Sequence, residues 1–437
     1  MLNYIWLALL LLAVVVGGLT GRSREVTEAA LDAAKTSVLT IALPLIGITA
    51  LWLGLMRLAE RAGLIQILAR GLRPLLSRLF PEVPADHPAM GSMLLNMAAN
   101  MIGLTNAATP LGLRAMKDLE SLNPRPGTAT NAMCTFLAVN TSSIQLVPTT
   151  AIGLMAAAGS ANPVAIVGTS LLATAGSTLV AIAAVKTLER CRRFRLPPAP
   201  PQPPPATPAE PPPDALPPAT TPSRTSRAAT IAALLLVALF VGLWIRALTQ
   251  TTATPQADPW AVRALNELSV LAIPFMLAFF PLYAALRGVP VYEEFVQGAK
   301  EGFEVVVRII PYLVAMLVAV GTFRAAGCID WLSRLLQPAL DLARFPAELL
   351  PMALTRPLSG SATIGLFADL VNTLGPDHLV SRMGGTILGS TETTFYVIAV
   401  YFGAVGVRRT RHAVAAGLLA DAAGIAASVL VCRMMFG

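Results

Sequence analysis

The chain has 437 residues, of which 55% are hydrophobic and only 13% charged, with a formal net charge of +8. An average soluble domain carries about 25% charged residues, so a soluble globular enzyme and an extended disordered protein are both excluded. The basic excess sits in short Lys and Arg clusters beside apolar runs, the positive-inside pattern of a membrane protein rather than the footprint of a nucleic-acid binder.

Spanning a bilayer takes roughly 17–25 apolar residues. Such stretches fall at about 4–20, 36–58, 130–157, 163–187, 228–248, 267–286, 305–325, 383–406 and 412–433. The first lacks a basic leader and an A-x-A cleavage site, so it reads as a helix rather than a signal peptide. Two more stretches, about 89–117 and 347–373, are apolar but interrupted. The first holds Gly91, Asn96, Asn100, Gly103, Asn106, Thr109 and Pro110; the second holds Pro351, Arg356, Pro357, Ser359, Gly360 and Ser361. Irregular backbone at membrane depth is tolerated only inside protein or beside a cavity, so both read as re-entrant segments. Residues 196–227 contain fourteen of the 35 prolines. No core forms from that composition, and the segment reads as a disordered or polyproline linker. Cys134, Cys328 and Cys432 lie in or beside apolar runs and read as packing residues. His87, His378 and His412 are too scattered in sequence to suggest a metal site.

The chain also repeats itself. Pro44 matches Pro311, Ala62-Gly63 matches Ala326-Gly327, Pro74 matches Pro338, and Phe80-Pro81 matches Phe345-Pro346. The string Thr135-Phe-Leu-Ala-Val-Asn-Thr-Ser-Ser143 faces Thr386-Ile-Leu-Gly-Ser-Thr-Glu-Thr-Thr394, and Leu171-Leu-Ala-Thr174 faces Leu418-Leu-Ala-Asp421. The basic clusters around Arg61–Arg78, Lys186–Arg195 and Arg408–Arg411 all face the cytoplasm only if 89–117 enters and leaves on one side. Each half then crosses four times, and the single helix 228–248 flips the second half. The expected fold is an all-α polytopic membrane protein. It has two inverted repeats with re-entrant or broken helices, joined by a Pro-rich linker and one extra transmembrane helix.

Inverted repeats with broken helices are the recurring plan of secondary transporters, with the site near the midplane. Polar residues gather where that plan needs them: Asn100, Asn106, Thr109, Asn140, Thr141, Ser142 and Ser143 in the first half, and Arg356, Ser359, Ser361, Thr391, Glu392 and Thr393 in the second. Most are neutral hydrogen-bonding groups suited to a small polar solute, although each alone also serves as helix-to-helix glue. Arg356, Glu392 and Asp421 are charged residues within apolar segments, where charge costs roughly 2.5–3.5 kcal/mol and marks function. Arg356 and Glu392 are expected to pair across the site. Glu392 and Asp421 are the candidates for carrying a coupling H⁺ or Na⁺. No G-x-S-x-G, H-E-x-x-H or Walker motif occurs, so neither catalysis nor a resident cofactor or metal is expected.

At these residues the chain resembles a known family. Asn106-Ala-Ala-Thr-Pro-Leu-Gly-Leu-Arg-Ala-Met-Lys117 and Asn131-Ala-Met-Cys-Thr-Phe-Leu-Ala-Val-Asn-Thr-Ser-Ser143 resemble spore maturation protein A. Val289-Pro-Val-Tyr-Glu-Glu-Phe-Val-Gln-Gly-Ala-Lys-Glu-Gly-Phe303, Arg356-Pro-Leu-Ser-Gly-Ser361 and Gly389-Ser-Thr-Glu-Thr-Thr-Phe-Tyr396 resemble spore maturation protein B. The resemblance implies the nucleoside-recognition gate superfamily, shared with concentrative nucleoside transporters and ferrous iron transport protein B. In sporulating bacteria the two separate proteins are linked to spore core dehydration. It divides the chain into a protein A-like gate repeat (1–195), the linker (196–227), a connecting helix (228–248) and a protein B-like gate repeat (249–437). The implied function is an inner-membrane, transporter-like gate that moves a small polar solute, nucleoside-like or an ion, by alternating access. Its partners would be the lipid bilayer, that solute with H⁺ or Na⁺, and a second copy of the chain. The rival readings are a non-transporting scaffold for envelope or peptidoglycan maturation and a gate for a metal ion. Scarce Cys and His at the breaks argue against a soft metal.

Overall fold

Each apolar run satisfies its own backbone by coiling, since nothing in a bilayer replaces a lost peptide hydrogen bond. The computed structural model describes residues 2–103, 105–142, 144–194, 227–250, 260–328, 331, 338, 340 and 344–437. Among them the elements are helical throughout. The first half contains α1 (Leu2–Leu19), α2 (Ser23–Thr36), α3 (Leu43–Arg61), α4 (Leu64–Leu79), α5 (Pro88–Ile102), α6 (Thr105–Glu120), α7 (Asn131–Thr141), α8 (Thr149–Ala157) and α9 (Ile166–Leu188). Then come α10 (Arg227–Gln250), α11 (Trp260–Leu286), α12 (Val291–Ala325), α13 (Leu350–Thr355), α14 (Gly360–Leu374), α15 (Leu379–Ser390), α16 (Thr394–Ala404) and α17 (Ala413–Phe436). Among the described residues six helices are long and apolar enough to cross a membrane, and α1 is a shorter apolar helix. The Pro-rich linker lies almost entirely outside the described residues.

A π-helical stretch, Ser37–Ala42, splices α2 to α3 into one 39-residue helix, Ser23–Arg61. Pro44 follows that stretch and has no N–H to give to residue 40, so the widened turn absorbs the missing bond. Its counterpart, α12, is a continuous 35-residue helix around Pro311. The two lie antiparallel along their length. Arg57 binds Glu294 at 2.7 Å and Glu301 at 2.5 Å at one end, while Gly321 abuts Ala33 toward the other. Between them Gly298 and Gly302 allow close backbone approach: a Cβ on Gly302 would sit 2.7 Å from the Ala50 Cα. The second matching pair, α9 and α17, is also antiparallel, with Ser177 Oγ donating to the Ala420 carbonyl at 2.8 Å.

Neighbours are exchanged between halves. α1 packs on α12 and α11 on α3; α7 packs on α17 and α15 on α9; α16 packs on α6 and α8 on α14. Equivalent loops sit at opposite ends. On one face Gly127 accepts from the Arg408 N–H at 2.9 Å, and the Arg409 carbonyl accepts from the Ala129 N–H at 3.0 Å. On the other, Asp377 accepts from the Ser160 hydroxyl at 2.7 Å and the Ala161 N–H at 2.8 Å. These bonds, led by Ser160 and aided by Arg382, hold the Asp377 carboxyl below its ordinary pKa. The first face also carries Lys186, Arg190, Arg192, Arg193 and Arg411, the side that the positive-inside rule expects in the cytoplasm. Antiparallel pairing of matching helices and exchange of matching loops make the repeats inverted.

Two expected spans are discontinuous. The stretch 130–157 forms α7 and α8 with an unwound link between them, and 383–406 forms α15 and α16 around Thr391–Thr393. Their apolar content passes as a full span, but Pro148 and the polar strings interrupt the helix ladder. The two interrupted stretches are helical hairpins. α5, with 15 residues, is about 22 Å long, too short for a hydrocarbon core of about 30 Å. α5 packs on α6, and α13 on α14. α10 matches the expected connecting helix; its apolar window buries nothing and Trp244 Nε1 donates to the Ala264 carbonyl of α11 at 3.0 Å.

Candidate functional site at the helix breaks

The C-terminal end of α7 carries Asn140, Thr141 and Ser142, all buried. Helix ends leave carbonyls without intrahelical donors, and here the other half answers them. The Glu392 N–H donates to the Thr141 carbonyl at 2.8 Å. Thr174 Oγ1, on α9, donates to the Ser142 carbonyl at 2.9 Å, and Thr178 Oγ1 reaches Ser142 Oγ at 3.0 Å. Both threonines lie near the middle of α9, so the break sits at mid-depth. The hairpin joins it from the side: Asn100 Nδ2 donates to Asn140 Oδ1 at 2.9 Å, and Asn140 Nδ2 returns to the Phe136 carbonyl at 2.9 Å. Asn96, one turn earlier, donates to the Ala108 carbonyl at 2.8 Å and lies 3.4 Å from the Tyr401 hydroxyl of α16.

The second break is organised around Arg356, 3% exposed at the end of α13. Its guanidinium is taken up by neutral acceptors. Nε donates to Thr391 Oγ1 at 3.0 Å, Nη1 to Thr393 Oγ1 at 3.4 Å, and Nη2 to the carbonyls of Leu388, at 3.3 Å, and Thr391. A planar five-donor fork serves the open C-terminal end of α15 well. The expected Arg356–Glu392 ion pair does not form among the described residues. The guanidinium faces the end of α15, where carbonyls with no helical partner compete for it. The half-buried Glu392 carboxylate accepts from the Thr393 N–H at 3.3 Å. It remains within electrostatic range of Arg356, as does Asp421.

Asp421 is 1% exposed on α17. Oδ2 accepts from Thr394 Oγ1 at 2.7 Å, while Oδ1 is buried with no hydrogen-bond partner. The structure thus brings Asn100, Asn140, Thr141, Ser142, Arg356, Thr391, Glu392, Thr393 and Asp421 to one depth. Ser359 serves another purpose: as the cap of α14 it accepts from the Ala362 N–H at 3.2 Å. Ser361 lies in the first turn of α14 and Thr109 on α6, both half-buried. The Asn106 side chain and Ser143 lie outside the described residues. The sequence reading missed the role of Thr174, Ser177 and Thr178 on α9. Their signal is spacing of three and four residues, and Ser177 lies against Ala420 and Gly424 of α17 in a small-residue helix contact.

A family model described as nucleoside recognition, named Gate, matches residues 42–185 and 306–408. Spore maturation protein B of Bacillus subtilis (strain 168) is 46% identical over 173 residues, covering 40% of this chain and 97% of that protein. Spore maturation protein A of the same organism is 47% identical over 182 residues, covering 42% of this chain and 92% of that protein. Among solved structures, the Alcanivorax borkumensis YdaH transporter aligns with 99% of this chain and 96% of its own at 15% identity and a TM-score of 0.45, a likeness too loose to extend to mechanism. The resemblance carried by the polar strings is thereby borne out: this multi-pass membrane protein belongs to the nucleoside-recognition gate family and holds, in one polypeptide, regions similar to both spore maturation proteins.

Proposed function

We propose that the chain is a gate of the inner membrane that moves a small polar solute by alternating access, without catalysis. One observation carries this reading: two discontinuous helices from inverted halves meet at mid-depth. Among the described residues Arg356 is occupied by protein carbonyls and hydroxyls, whereas the half-buried Glu392 carboxylate has one weak backbone partner. Such a site repels anions and favours a neutral or cationic solute rich in hydrogen-bond donors; a nucleoside-like molecule meets that requirement. Glu392 and Asp421 are the groups proposed to carry a coupling H⁺ or Na⁺. The first half, 1–195, is proposed as the protein A-like repeat and 249–437 as the protein B-like one, with a second copy of the chain as a further partner.

The test is thermal stability of the purified protein against nucleosides, sugars, amino acids and cations, followed by uptake into proteoliposomes. A ligand at about 100 times its Kd stabilises by roughly 2.7 kcal/mol. A shift present in the parent, absent in Glu392→Gln and accompanied by uptake supports the gate. No shift with any compound, in a protein that melts cooperatively, favours the scaffold reading instead.

A further inference from the structure

The cytoplasmic-facing basic rim holds a cavity lined no deeper than Leu95, short of Asn100 at the helix break. It measures about 420 Å³ and lies between α4 and α5. Arg70 and Arg73 of α4, with Asp86 and His87, form its polar mouth; Met90, Leu94 and Leu95 of α5 form an apolar floor. Arg70 Nε and Arg73 Nη2 donate to the carbonyls of Gln66 and Ala85, both at 3.3 Å, which tethers the side chains and leaves their other donors uncommitted. Neither is in an ion pair among the described residues. Nearby Arg57 and Arg61 are both held by Glu294. α4 contains Arg70, Arg73 and Arg78 and no acidic residue. It also exposes Leu75 (62%) and Ile67 (41%). A basic helix that shows both arginines and large aliphatics to its surroundings lies in the membrane interface.

We propose that this cavity binds an anionic phospholipid, with its phosphate on Arg70 and Arg73 and an acyl chain along Met90, Leu94 and Leu95. Basic pockets on the cytoplasmic side of helix bundles suit anionic headgroups. The apolar floor selects a lipid over a free phosphate, which has no use for it. α5 is the outer arm of the hairpin that delivers Asn100 to Asn140, so a lipid wedged against it loads the hairpin from the cytoplasmic leaflet. The matching segment of the second half, 328–344, carries two arginines, Arg334 and Arg344, offset by two aspartates, Asp330 and Asp341. The lipid site therefore belongs to one half alone, and it does not depend on any solute being moved.

The experiment titrates the detergent-purified full chain with phosphatidylglycerol, phosphatidylcholine or inorganic phosphate, following melting temperature and bound lipid by native mass spectrometry. The parent is expected to retain phosphatidylglycerol and melt higher with it, and to ignore phosphatidylcholine. Arg70→Gln/Arg73→Gln should weaken binding roughly thirtyfold, at about 1 kcal/mol per arginine. Arg24→Gln, exposed on the opposite face, should change nothing. Equal response to phosphatidylcholine, or undiminished binding by the double variant, overturns the proposal. A full response to inorganic phosphate overturns the lipid in favour of a free anion. Should the double variant not fold, Arg73→Gln alone serves, with an expected weakening of several-fold.

Discussion

The Glu392 N–H donates to the Thr141 carbonyl at 2.8 Å, and the two polar strings of the repeats place those same residues at matching positions. The bond therefore sits on the pseudo-two-fold relation between the halves, where the second broken helix supplies a donor that the last carbonyls of the first lack. Its backbone character leaves the Glu392 side chain free for a ligand. Glu392→Gln should melt within a few degrees of the parent and lose any solute-dependent shift. Glu392→Pro removes the N–H and should cost about 1 kcal/mol or more from that bond alone, read as a lower melting temperature without solute.

Arg356 is predicted to be structural. Arg356→Ala strips a charged donor from two carbonyls and two hydroxyls in a buried setting, and hydrogen bonds from charged groups contribute about 1.5–3 kcal/mol each. A loss of roughly 3 kcal/mol or more is expected. Arg356→Lys should recover little, because a point charge cannot reach acceptors spread around a planar fork. Denaturation of the three proteins side by side checks this.

His412 gives a pH dependence outside the membrane spans. It is fully buried, stacks edge-on against Phe194 at 5.8 Å, and neither ring nitrogen has a hydrogen-bond partner. Burial, then Arg411 and Lys186, push its pKa down from 6.5 to about 4. Between those values the unfolded chain binds a proton that the folded chain refuses, so stability rises with pH across the window. Lowering the pH from neutral through 6.5 and past 4 should therefore remove roughly 3 kcal/mol, the loss levelling off at about pH 3. His412→Phe should flatten that slope in melting curves taken at successive pH values.

Gly302→Val should separate α3 from α12, because its Cβ would fall 2.7 Å from the Ala50 Cα and 2.8 Å from the Ala50 nitrogen. Overpacking of this kind costs about 1–3 kcal/mol. Gly47→Ala, with open space around it, is the matched control. Melting temperature separates the two.

Orientation is open to direct test. With the exposed Cys191 replaced by serine, single cysteines near Arg73 and near Arg344 should react with impermeant reagents from opposite sides of the membrane. Same-side labelling would contradict the inverted arrangement.

The helices, the hairpins and the repeat were legible in the sequence because apolar length and matched Pro and Gly positions are local properties. The interruptions in 89–117 and 347–373 were visible, yet the breaks inside 130–157 and 383–406 were hidden. A handful of Ser, Thr and Asn residues barely lowers the hydropathy of a long window, although it is enough to end a helix. Arg356 was visible as a deep charge, but its partners were not. Carbonyls at the end of α15 become acceptors only once that helix stops, and no residue type announces them. Pairing it with Glu392 was the natural guess from charge alone. Asp421 was flagged by charge, whereas Thr174 and Thr178 carry none and gained meaning only from the carbonyl and hydroxyl of Ser142 opposite them.

The exchange of neighbours between the halves has a consequence for synthesis. α3 leans on α11 and α12, and α9 on α15 and α17, so neither half owns a complete interior. A ribosome finishes the first half while Arg57 still lacks Glu294 and Glu301, and that half must wait in the membrane, unfinished, for the rest of the chain. Two separate polypeptides built this way would depend on matched dosage and on finding each other in the bilayer. Carrying both in one chain fixes their ratio at one to one and turns a search into a local closure.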